Sequence, residues 1–103
     1  MSVTIQIGDQ ERAFSNVSES WITDQIGRRS RDGVPICVVV NIQEAGINVR
    51  LTTPACSGGS VGGRLPNPRE TQIIDLWNER RLNSGGFAAG NVIAFLKQLR
   101  HFI

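Results

Sequence analysis

The chain has 103 residues, 40% of them apolar and 19% charged, with a formal charge of +2; this suits one globular domain over residues 1–103 and excludes disorder throughout or a second independent core. No apolar run approaches the roughly 18 to 20 residues needed to span a bilayer, and the longest, residues 34–40, contains Pro35, so no membrane partner is expected. Two cysteines and one histidine cannot supply four ordinary zinc ligands, so neither a metal nor another cofactor is expected.

The first residues lack the basic start, apolar middle and small-residue cleavage site of a secretory signal, and the expected address is cytoplasmic. Residues 3–7 alternate apolar and polar with period two, Gly8-Asp9 supplies turn chemistry, and residues 12–14 return as a short second strand. Asn16 stands three residues before Glu19, a capping-box spacing, and Val17, Trp21, Ile22 and Ile26 follow at helical spacing. A helix is therefore predicted over about 17–26 or slightly beyond, with Gly27 or Gly33 as the left-handed residue after its last turn.

Residues 34–43 are β-branched and apolar on both faces, the pattern of a central strand covered on two sides, with Pro35 at its beginning. After the Glu44-Ala45-Gly46 turn, Ile47, Val49 and Leu51 alternate with Asn48, Arg50 and Thr52, as in a strand with one buried face. Pairing Ile42 with Val49 and Val40 with Leu51 joins every apolar partner, whereas a slip by one residue opposes Ile42 to Asn48.

Residues 53–67 hold four glycines and two prolines, a connection long enough to be either functional or simply solvated. It ends at Asn67-Pro68-Arg69-Glu70, where Asn caps, Pro fits the first helical position and Glu closes the box. The helix that follows carries Ile73, Ile74 and Trp77 on one stripe and stops near Asn83-Ser84-Gly85-Gly86. A last helix keeps Val92, Phe95, Leu96, Leu99, Phe102 and Ile103 at helical spacing. The predicted fold class is α+β, an antiparallel sheet of about four strands with helices packed on one face, in the order ββαββαα.

Several residues are candidates for chemistry. Ser57, Gly58, Gly59, Ser60 and Arg64, with Arg50 nearby, place hydroxyls, open backbone amides and cations between a strand and a helix start, a set able to cradle phosphate. The stretch matches neither the phosphate-loop pattern nor the spaced glycines of a dinucleotide fingerprint, and Glu70 repels an anion at the helix start. Arg28, Arg29 and Arg31 suit phosphate contacts, or equally a solvated helix end where cations complement the dipole. Cys56 with His101 as base is a thin case for a nucleophile, since His101 lies on the polar side of the last helix. Cys37 reads as a small core residue. The register sets it opposite Pro54, with Cys56 diagonal at roughly 7 to 8 Å by Cα; that is just beyond an unstrained disulfide unless the chain bends after Pro54.

No catalytic set emerges and no motif is specific enough to assign a family. The best reading is a small non-enzymatic protein-binding or self-assembling module. The last helix has more apolar positions than one face of a small sheet needs, which makes Phe95, Leu99, Phe102 and Ile103 candidate contacts of a homodimer or protein partner. The alternative is a phosphate-bearing ligand or nucleic acid held by the glycine-rich loop and its arginines.

Overall fold

Period-two alternation over the first residues produces strand β1 (Ser2–Ile7), with Val3, Ile5 and Ile7 buried. It turns through Gly8 and Asp9 into β2 (Gln10–Ala13), with Ile7 opposite Gln10. Gly8 has φ +62°, the first central position of a type II′ turn, whose twist matches that of paired strands. The computed structural model describes residues 2–31, 33, 36–44, 46–53, 56, 65–83 and 89–102, and only the backbone at 81–83 and 102.

The return strand is one residue shorter at its far end than the sequence suggests. Phe14 belongs to a single 3₁₀ turn (Phe14–Asn16), and helix α1 spans Glu19–Arg31. Its cap is Ser18, not Asn16: the Trp21 N–H donates to Ser18 Oγ at 3.1 Å. The 3₁₀ turn absorbs Asn16, leaving Val17 extended and Ser18 as the first residue whose hydroxyl can reach the third amide of the helix. Of the two glycines considered for its end, Gly27 lies inside the helix, and Gly33, at φ +69° with its N–H on the Ser30 carbonyl, follows the last turn.

Strands β3 (Val38–Glu44) and β4 (Ile47–Thr52) complete an antiparallel sheet in the order β2-β1-β3-β4. Ile42 pairs with Val49 and Val40 with Leu51, the register that the apolar pattern demands. β3 is not covered on two sides as expected, however. Val38, Val40 and Ile42 join the core shared with the helices, while Asn41 and Gln43 lie on the other face, half-buried and exposed. Val39 is only 7% exposed on that second face, flanked in register by Gln6 and Thr52. The continuous apolar run thus reflects one inward-facing set plus a single central valine. Residues 34 and 35, part of the strand expected from sequence, lie outside the described residues.

Helices α2 (Pro68–Asn83) and α3 (Ala89–Phe102) close the structure. Ile73 and Trp77 from α2, and Val92, Phe95, Leu96 and Leu99 from α3, pack with Trp21, Ile22 and Ile26 of α1 over the inner face of the sheet. The architecture is an α+β fold in the order ββαββαα with the helices on one face. Among the described residues no helix is long and apolar enough to cross a membrane.

Candidate functional site

The start of α2 is built from the residues that the sequence singles out. The Glu70 N–H donates to Asn67 Oδ1 at 2.9 Å, and the Asn67 N–H donates back to Glu70 Oε1 at 2.9 Å, completing a capping box. The box also grips the β3–β4 turn. Asn67 Nδ2 donates to the Gly46 carbonyl at 2.6 Å, and the Asn48 N–H donates to Glu70 Oε2 at 2.7 Å. Glu70 is a buried carboxylate, only 1% exposed, and it occupies the helix terminus where an anion would otherwise sit.

Farther along, the Trp77 indole N–H donates to the Thr52 carbonyl at 3.3 Å, and its ring meets Phe95 edge-on at 4.9 Å. The Thr53 N–H bonds to the Val38 carbonyl, so the alternating pattern of an antiparallel ladder turns the backbone groups of Asn48, Arg50 and Thr52 away from β3. Glu70 takes one such group and Trp77, about two helical turns farther along α2, takes another. Beside these anchors lies a cleft of about 250 Å³ whose walls are residues 49–52 of β4 and Ile74, Trp77 and Asn78 of α2.

A second, smaller cavity of about 30 Å³ lies between the start of α1 and α3, room for about one water molecule. Lys97 crosses there to Glu19 at 2.9 Å. The Lys97 hydrogen bond and charge hold the Glu19 carboxyl below its ordinary pKa, with Arg100 adding to the effect against a small opposing contribution from burial.

The fate of each expected site residue follows from this geometry. Arg50 lines the cleft, half-buried. Ser57, Gly58, Gly59, Ser60 and Arg64 lie outside the described residues. Phe95 and Leu99 are fully buried in the core of one chain and present no surface to a partner; with Val92 and Leu96 they pack against residues of α1 and α2 in that core. The side chain of Phe102 and all of Ile103 lie outside the described residues. Arg28 and Arg31 are exposed on the last turn of α1, whereas Arg29 folds back to Asp9 at 2.9 Å and to Gln25 Oε1 at 2.8 Å.

Cys56 carries no thiol, because it is bonded to Cys37 with the Cα atoms 4.7 Å apart. The diagonal separation expected from a straight strand is shortened by a turn in which the Cys56 N–H donates to the Thr53 carbonyl at 3.0 Å. His101 is exposed on α3. Among the described residues no group of three or more His, Cys, Asp or Glu side chains is arranged to hold a metal ion.

The cleft residues that sequence reasoning missed are Thr52 and Asn78, and Ile74 was assigned to the buried stripe. Ile73 and Trp77 form that stripe; Ile74 and Asn78, also four apart and rotated by about 100°, form the neighbouring one that faces the cleft. No family model, curated protein or solved structure matches the chain.

Proposed function

We propose that the chain is a non-enzymatic cytoplasmic module that binds protein through the cleft between β4 and α2, with a second copy of itself, as a homodimer, the first partner to test. The observation that supports this reading is the make-up of the cleft. Ile74 and Trp77 give it apolar walls, while Arg50 and Asn78 place a cation and an amide beside them, the mixture of apolar surface and few polar groups typical of binding concavities. The contact moves accordingly from the inner stripe of α3 to the outer stripe of α2.

Light scattering over a range of concentrations tests it. The wild-type chain is expected to rise above the monomer mass as concentration increases, and Asn78→Trp, which fills the cleft without removing a core residue, is expected to weaken association at least about tenfold. A strict monomer at the highest concentration reached overturns the homodimer.

A second reading draws on Arg50 alone, whose position in the cleft also suits a phosphate-bearing ligand or nucleic acid. Salt-dependent retention on immobilised nucleic acid separates the two, because a phosphate contact is strongest at low salt. Absence of retention at low salt eliminates it.

A further inference from the structure

The geometry points to a reversible redox clasp: Cys37 and Cys56 form a disulfide that ties Cys56 to the open end of the β3–β4 hairpin and that a dithiol reductant opens without unfolding the domain. Cys37 precedes β3 and Cys56 follows β4, so the bond closes the open end of that hairpin. The hairpin does not depend on it. Thr53 already extends the ladder by one step: its N–H donates to the Val38 carbonyl at 3.1 Å, its Oγ1 accepts the Val38 N–H at 3.0 Å, and its hydroxyl donates to the Ile36 carbonyl at 2.8 Å. Neither cysteine belongs to the hydrophobic core. Opening the disulfide therefore releases Cys56 from Cys37 while the ladder through Thr53 stays paired.

The reduced form has a partner for the Cys56 sulfur. In the structure the Cys56 sulfur lies 3.5 Å from the Val38 carbonyl oxygen and 3.6 Å from Thr53 Oγ1, so a Cys56 thiol has an acceptor for its hydrogen where it stands. Cys37 and Cys56 are each only half-buried, which leaves the bond within reach of a small thiolate. The exchange follows ordinary thiol–disulfide chemistry. One thiolate of the reductant attacks a sulfur of the pair and the other protein sulfur leaves as a thiolate and takes a proton. The second thiol of the reductant then displaces the mixed disulfide, so that two electrons and two protons pass to the protein and the reductant becomes a cyclic disulfide. In a reducing cytosol such a bond is characteristically transient and sensing rather than permanent.

The test uses the full chain, oxidised and then treated with dithiothreitol in the absence of denaturant. Two thiols per chain are expected to become titratable with far-UV dichroism retained. Amide exchange at Cys56 should accelerate at least about tenfold while Thr53, Val40 and Ile5 keep their protection, and oxidised glutathione should restore the slow rate. The double variant Cys37→Ser/Cys56→Ser is expected to fold and to show the fast Cys56 amide under both conditions. Thiols that appear only in denaturant, loss of dichroism on reduction, an unchanged Cys56 amide, a pair of thiols that glutathione disulfide cannot join, or failure of the double variant to fold would each overturn the proposal.

Discussion

Hairpin β3–β4 and hairpin β1–β2 share one sheet, yet different forces hold them. On the inner face of β3–β4 the two central pairs are apolar, Ile42 with Val49 and Val40 with Leu51, and α2 grips both ends of β4 through Glu70 and Trp77. On the same face β1 meets Arg12 and Gln10 across from Ile5 and Ile7, and all four residues of β2 are exposed. Cations hold that side: the Arg12 guanidinium lies 4.9 Å above the Trp21 ring, and the Arg29 guanidinium covers Gly8 and reaches Asp9. Buried apolar area contributes several times what an exposed cation contact does, so the second hairpin should open before the first.

The largest effect expected is that of Trp77→Ala, which removes a buried ring from Phe95 and a donor from Thr52; loss of about 3 to 5 kcal/mol by urea unfolding would place the β4–α2 contact in the global core. Glu70→Ala should cost roughly 2 to 4 kcal/mol, because it strips acceptors from the Asn67 and Asn48 amides, and exchange at both amides should accelerate. On the weaker hairpin, Gly8→Ala should cost about 1 to 2 kcal/mol. An added Cβ meets the Arg29 guanidinium, but that side chain can swing aside, so most of the cost is the positive φ. A double-mutant cycle with Arg29→Ala separates the two: a large coupling energy would show that the arginine cannot yield.

Arg12→Ala should cost about 0.5 to 1 kcal/mol, seen as faster exchange in β2 while β3 and β4 are unmoved; equal acceleration in both hairpins would erase the contrast between them. The smallest effect concerns Glu19. Its folded pKa is depressed, so the associated stability is present above the unfolded value, about 4.3, and is lost as pH falls through the folded one. Both partners are largely exposed, and such pairs contribute little. In an NMR titration Lys97→Ala should raise the Glu19 midpoint toward its ordinary value with little change in the midpoint of unfolding.

The same contrast governs what was legible in the sequence. The β3–β4 register could be read because one slip exposes a whole apolar face, and the α2 start because Asn67, Pro68 and Glu70 each favour it locally. The α1 start could not, since Asn16 and Ser18 are both good caps and only the 3₁₀ turn at Phe14 chooses between them. That turn is tertiary: the Arg100 guanidinium from α3 sits 5.2 Å from the Phe14 ring. The cysteine pair was left open in the sequence, because a straight continuation of β4 puts Cys56 just too far from Cys37 and nothing local says that the chain bends. Of the candidate site only Arg50 was foreseen. The cleft depends on how α2 packs beside β4, which no local pattern encodes, and Phe95 looked surplus because its edge-on contact with Trp77 joins two helices and is not visible in either one alone.

An outermost strand is a template on which other chains can grow, and this sheet ends in two of them. β2 defends itself by brevity and by Glu11 and Arg12, whereas β4 is longer and relies on α2 to occupy its rim. A nascent chain that has made β4 but not yet α2 therefore passes through an adhesive stage, and variants that loosen Glu70 or Trp77 should lose solubility out of proportion to their loss of stability.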